Sequence, residues 1–182
     1  MLLTVMDTSA LLPLFMTASL HADAQYAGQI ASLFSFGMAV SMFLSGFVYD
    51  SLNSKGRAKF LLTLGLLCSV SYIFLAQVHS LHTAGVLLFC AGACFAPAKY
   101  LPSTTYVLDT IEPAHSGSVL ALMDVPGYIA SAIFFKLQPD LVATYSWAFI
   151  FNLLALIVLV STLCIVVQQF SLHRQGEEVT RH

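Results

Sequence analysis

Six long apolar stretches divide this chain of 182 residues, and they constrain its fold more than any other feature. About 17–25 apolar residues are enough to cross the hydrocarbon core of a bilayer as a helix. Inside a membrane, every backbone N–H and C=O must find its partner within the protein, so these segments are helices. We therefore predict an all-α membrane protein with six transmembrane helices, followed by a disordered tail over 171–182. The predicted helices are approximately 1–20, 30–50, 60–78, 83–109, 116–137 and 146–169.

Five of the seven lysine and arginine residues fall on alternate connections between these stretches, whereas Lys99 and Lys136 lie within stretches. Five cations lie between the second and third stretches or after the sixth: Lys55, Arg57, Lys59, Arg174 and Arg181. The connections at 21–29, 79–82 and 138–146 contain no Lys or Arg. Positively charged loops stay in the cytoplasm. We therefore predict a multi-pass protein with both termini cytoplasmic, without a preference for any one cellular membrane.

Composition excludes several classes of function. The chain is 58% hydrophobic and 9% charged, whereas a soluble domain carries about 25% charged residues. Nucleic acid is excluded as a partner because the basic cluster is only three residues in a short loop. The four cysteines lie inside apolar stretches, and no histidine or carboxylate at ligand spacing accompanies Cys90 and Cys94. We predict no metal and no cofactor.

Enzymatic activity has no support in the motifs either. The chain contains no His-Glu-x-x-His and no Gly-x-Ser-x-Gly sequence. The segment 1–20 lacks the basic start of a signal peptide and carries Asp7 in its middle. It resembles a slightly short first helix, or one whose beginning is missing. We predict that the protein is not an enzyme and that this chain is a piece of a longer protein.

Charged residues within the stretches are the candidates for function, because each costs at least about 2.5–3.5 kcal/mol to insert. Lys99 lies about 12 residues, or about 18 Å, from the cytoplasmic turn near Ile111. Asp124 lies about 9 residues, or about 14 Å, from the same turn. The two helices are antiparallel neighbours, so both charges lie near mid-depth. We predict that they form an ion pair or share a polar cavity.

Two interpretations of these charges remain open at this point. Lys99 and Asp124 either form a substrate or proton site, or make a structural salt bridge that pins two helices. Tyr128, one turn after Asp124, is positioned to hydrogen-bond a solute in the same cavity. Asp7 is a further candidate if the first helix begins well before Met1, and otherwise lies near the inner surface.

A glycine, an acid and basic residues follow one another across the loop after the second stretch. Gly46, Asp50, Gly56, Arg57 and Lys59 are its key positions. Asp50 lies at a helix C-terminus, where the dipole disfavours an anion. It therefore needs a basic residue of the loop or the N-terminus of another helix as partner. The loop resembles the motif between the second and third helices of each half of the major facilitator superfamily, although Ser51 replaces the usual basic residue.

A second resemblance covers the fourth and fifth stretches. Gly92-Ala-Cys-Phe-Ala-Pro97, then His115-Ser-Gly117 and Gly127-Tyr128, look like these helices in the C-terminal half of facilitators. Within the superfamily, this pattern most resembles that of the organophosphate/phosphate antiporters. Ala96 departs from the glycine that precedes the proline in those proteins, and Lys99 and Asp124 are additions to their pattern.

The resemblance implies one six-helix half of a secondary transporter in the lipid bilayer. It implies a small solute at mid-membrane, which includes the possibility of an organic anion or a phosphate ester, and a missing N-terminal half or a second copy as partner. The positions Gly46, Asp50, Gly56, Arg57 and Lys59 would then form a gating loop. The alternative is a non-transporting accessory protein derived from such a half. It would assemble with a partner through the second helix, where the small residues Gly37, Ser41 and Ser45 recur at four-residue spacing.

Overall fold

Six α-helices follow one another in the computed structural model, which describes residues 11–179, with the side chains at 54, 109–110 and 168–179 left undescribed. The helices are α1 Leu11–Leu20, α2 Ala24–Ser51, α3 Ser54–Leu75, α4 Leu81–Thr110, α5 Pro113–Thr144 and α6 Trp147–Val179. Every regular element within the described range is a helix. Five of the helices, α2 to α6, are long and apolar enough to cross a membrane.

Two helices begin six residues earlier than predicted, because polar caps extend them beyond their apolar stretches. The Asp23 side chain accepts a hydrogen bond from the Gln25 N–H at the start of α2. The Asn53 side chain accepts one from the Gly56 N–H at 2.8 Å at the start of α3. Such caps satisfy backbone donors that a helix leaves unpaired at its N-terminus. Hydropathy alone marks the lipid-crossing part of a helix and misses this polar first turn.

The last two helices also exceed their predicted limits. α5 runs from Pro113, where proline is compatible with the first helical turn, to Thr144. α6 continues to Val179. Most of the segment 171–182, predicted to be a disordered tail, is therefore helical in the structure, and 180–182 lie outside the described residues. The connection to a preceding apolar helix allows a polar segment to continue the same backbone hydrogen-bond ladder.

α4 is the centre of the bundle, packed against α2 on one side and α3 on another. α2 and α4 approach backbone to backbone. A Cβ at Gly37 would overlap the carbonyl oxygen of Phe89, and one at Gly92 would overlap that of Phe34. Small residues permit such close approach between membrane helices.

α3 and α6 form the second close pair. A Cβ at Gly65 would overlap the side chain of Thr162, and the Ser69 hydroxyl donates to the Ala155 carbonyl at 3.2 Å. Rings from α1 and α6 pack edge to face nearby, with the centroids of Phe15 and Phe151 4.7 Å apart. These contacts build the hydrophobic core near the end of the bundle that contains the α1–α2 connection.

α5 is the least covered of the long helices. Its buried residues are confined to one narrow stripe: Gly127, Ser131, Phe134 and Gln138. Apolar side chains such as Leu122 and Ile133 on its other faces are exposed. This helix therefore presents most of its surface to lipid, to solvent or to another protein.

Candidate functional site

Lys99 lies in the middle of α4, between two prolines within the helix, Pro97 and Pro102. Each proline lacks an N–H and removes one helical hydrogen bond. The Ser103 hydroxyl donates to the Lys99 carbonyl at 3.2 Å and to the Tyr100 carbonyl at 3.1 Å in this interrupted region. α4 is nevertheless one continuous helix, and its residues 95–99 are all buried.

The Lys99 ammonium is buried among aromatic rings. Only 8% of the residue is exposed. Its Nζ donates a hydrogen bond to the Tyr100 hydroxyl oxygen at 3.3 Å. The same atom lies 4.7 Å from the ring centroid of Tyr100, and 6.0 Å from the centroids of Phe95 and Tyr128. These distances are within the range of cation–π attraction.

Tyr128 brings α5 to this site. Its ring lies beside the Lys99 Nζ, yet 57% of the residue is exposed. The Tyr128 side chain therefore lies next to the Lys99 ammonium and is also exposed on the surface of the bundle. Two of the residues predicted for the solute site, Lys99 and Tyr128, are thus brought together by the fold.

Asp124 is partly buried and precedes Tyr128 by one helical turn on α5. Among the residues that the structure describes, no carboxylate forms an ion pair with Lys99, so the predicted ion pair with Asp124 is not formed. The lysine side chain instead turns toward the ring and hydroxyl of Tyr100 on its own helix. α5 is too loosely packed against α4 to force the two charges together. Asp7, the other predicted site residue, lies outside the described residues.

Sequence reasoning did not assign Tyr100 and Phe95 to this site, although the position of each relative to Lys99 could have indicated it. Phe95 precedes Lys99 by four residues, which places the two on one helix face. Tyr100 follows Lys99 directly, within reach of its flexible four-carbon side chain.

At the basic end of the bundle, the α2–α3 loop is organised by Arg57. Its Nε donates to the carbonyl oxygens of Tyr49 at 3.2 Å and Leu52 at 3.1 Å. These carbonyls belong to the last turn and the C-cap of α2. A cationic side chain at this position satisfies otherwise unpaired acceptors and complements the helix dipole.

The other loop residues have separate roles. The Asn53 side chain caps α3 by accepting a hydrogen bond from the Gly56 N–H. Lys59 is exposed. Asp50 is exposed and forms no ion pair with any residue that the structure describes, although Arg57 was one of its expected partners. A Cβ at Gly46 would have no atom within 4 Å. Gly46 is therefore not used for close packing against any residue that the structure describes.

A separate cavity of about 450 Å³ lies between the halves of α2 and α4 that are farthest from the basic loop. The helices diverge there beyond their contact at Gly37. The lining consists of Tyr26, Ile30, Leu33, Leu81, His82, Gly85, Val86 and Phe89. It contains none of the predicted site residues, and its walls are mostly apolar. Within the described part of the chain, no group of three or more potential metal ligands occurs.

The described residues form a bundle of six helices, five of them long and apolar enough to cross a membrane, which is the architecture of a multi-pass membrane protein. A family model described as the Major Facilitator Superfamily matches residues 1–178. The chain belongs to this superfamily, as its α2–α3 loop predicted. Neither the curated proteins nor the solved structures contain a match to the chain.

Proposed function

We propose that the chain is one six-helix half of a secondary transporter, and that it moves a small solute past Lys99, Tyr128 and Asp124. The polar centre lies between α4 and α5. The partner is a second six-helix half, or a second copy of this chain, and the two halves rock around the solute. Membership of the major facilitator superfamily supports the general transport function.

The burial of Lys99 is the observation that carries this proposal. It is 11 residues (110 − 99) before the end of α4, or about 17 Å along the axis. Asp124 is 11 residues (124 − 113) after the start of α5, which gives the same height of about 17 Å. Charges at this depth are costly to insert, and they mark substrate and ion pathways in membrane proteins.

The basic end of α2 supports a second half as partner. Asp50 is exposed at a helix C-terminus, where the dipole destabilises its charge. A Cβ at Gly46, one turn earlier, would have no described atom within 4 Å. The N-terminus of a helix from the other half would satisfy the carboxylate and pack against the glycine. With the cationic loops in the cytoplasm, this contact closes the cytoplasmic side of the transporter.

Thiol labelling tests whether the centre is an aqueous cavity. In a background without the four native cysteines, Tyr128→Cys is reacted in membranes with a permanently charged, membrane-impermeant thiol reagent. Such reagents need a thiolate, which forms only in contact with water. The matched control is Leu156→Cys, an exposed position near the middle of the apolar span Trp147–Val167 of α6. We expect Tyr128→Cys to react at least about tenfold faster, because a thiol in hydrocarbon stays protonated.

Equal rates at the two positions would place Tyr128 in lipid and would reject a solute pathway between α4 and α5. Labelling from both sides of the membrane, in separate samples, supports alternating access to the same residue. Labelling from one side only, in membranes that contain this chain together with its partner half, would contradict it.

A further inference from the structure

We propose that Lys99 and Tyr100 together bind the carboxylate of a small organic monoanion. This assignment rests on the solute site proposed above and specifies what that site accepts. It follows from the charge balance around one buried ammonium, from the hydrogen-bonding capacity of one hydroxyl, and from the rings on either side.

The charge of Lys99 is not balanced within the part of the chain that the structure describes. An ammonium group has three N–H donors, and the Tyr100 hydroxyl oxygen accepts one of them. Burial of a charge without a counter-ion is costly even after relaxation. Cation–π contacts with the neighbouring rings offset only part of that cost. An anion supplied by the solute would complete the site.

Tyr100 provides a second donor beside the first. Because its oxygen accepts the Lys99 N–H, its own proton is free to be donated. The two donor atoms lie 3.3 Å apart, on a buried lysine and a partly buried tyrosine. A carboxylate offers two coplanar oxygens that can each accept one hydrogen bond, and charge-assisted bonds of this kind are short and strong.

The number of charges favours a carboxylate over a phosphate ester. A phosphate monoester carries about −1.5 to −2 charges at pH 7, and Lys99 supplies one positive charge. A second negative charge on the solute would therefore have no cationic partner among the residues around Lys99 that the structure describes.

The rings define the rest of the solute. Phe95 is 1% exposed, and the ring centroids of Phe95 on α4 and Tyr128 on α5 each lie 6.0 Å from the Lys99 ammonium. Both place flat apolar surface next to the expected carboxylate position. The body of the solute that directly follows its acidic group is therefore apolar or aromatic, as in benzoate.

Four probes share a phenyl ring and differ in the charge of its substituent: benzoate, benzamide, benzylamine and phenyl phosphate. They test which solute charge the site accepts. Thermal unfolding of the purified chain in lipid nanodiscs is followed with each probe, because a ligand that binds only the native state raises the melting temperature. We expect benzoate to give the largest rise. Lys99→Met should abolish it, and Lys99→Arg should retain part of it. Tyr100→Phe should weaken benzoate binding about 5- to 10-fold, the value of one hydrogen bond.

Lys136→Met is the matched control, since it removes an exposed cation from the neighbouring helix and should leave the benzoate shift unchanged. An equal or larger shift with phenyl phosphate, benzamide or benzylamine would overturn the assignment, as would a benzoate shift that survives in Lys99→Met. The absence of any benzoate shift would also reject it. If Tyr128→Cys is water-accessible while benzoate fails, the monoanion assignment falls and the transport site stands. If Tyr128→Cys is inaccessible, the proposed function itself fails.

Discussion

The guanidinium carbon of Arg57 lies 4.8 Å above the ring centroid of Tyr49, while its Nε donates to the Tyr49 carbonyl. One residue of α2 thus holds Arg57 from two directions. The Tyr49 ring is itself buried at 1% exposure. Arg57 is therefore part of the α2–α3 connection and is not positioned as the partner of Asp50.

Arg57 should contribute measurably to stability. Arg57→Gln removes both the cap on the α2 carbonyls and the contact with the Tyr49 ring, so we expect it to lower the free energy of unfolding by about 1–3 kcal/mol. Lys59→Gln also removes one cation, but from an exposed side chain in the same loop. It should change stability by less than about 0.5 kcal/mol. The unfolding free energies of the two variants are measured by chemical denaturation of the protein in mild detergent, followed by the fluorescence of Trp147. Equal losses would show that loop charge alone matters.

Gly37 should tolerate no side chain. A Cβ there meets the backbone of Phe89, which cannot move as a flexible side chain could. We expect Gly37→Ala to destabilise the chain by about 1–3 kcal/mol through overpacking. Gly28→Ala, in the same helix, has no atom within 4 Å of the added carbon. It should be neutral or stabilise by up to about 1 kcal/mol, because alanine favours the helix. Thermal unfolding compares the pair, and a stable Gly37→Ala protein would refute the close α2–α4 contact.

Asp124 should be dispensable for folding. Breaking a buried salt bridge typically costs about 3–5 kcal/mol, but Lys99 and Asp124 form none. We therefore expect Asp124→Asn to change the free energy of unfolding by less than about 1 kcal/mol. The change should be stabilising, because the substitution removes a partly buried carboxylate. Denaturation compares it with wild type. A loss of 3 kcal/mol or more would mean that the two charges pair in the membrane.

Asp50 should affect gating without affecting the fold of this half. Its side chain is exposed and forms no ion pair within the described residues. Asp50→Asn should leave thermal unfolding unchanged. In the assembled transporter, it should alter the rate of Tyr128→Cys labelling from the cytoplasmic side about 2- to 5-fold, the size of one charge–dipole contact. Asp23→Asn, which removes an exposed acid at the other end of α2, serves as control. Unchanged labelling in Asp50→Asn would argue against a docking role.

Much of the architecture could be read from the chain because the bilayer imposes few solutions. Long apolar stretches must be helices there, and the loop at Gly46 and Asp50 indicated the superfamily that the family match confirms. Helix ends were less predictable. The caps at Asp23 and Asn53 depend on a single local hydrogen bond each, which an average of hydropathy does not register.

The sequence by itself determined that Lys99 and Asp124 lie at similar heights in adjacent helices, since height follows from counting residues at a fixed rise per residue. Only the tertiary structure decided their partners. Rotation of each helix about its axis depends on packing, and here the glycine contacts between α2 and α4 set the rotation of α4. That rotation turns the Lys99 ammonium toward Tyr128 of α5 and leaves it without a carboxylate among the described residues, whereas its contact with Tyr100 is local to α4.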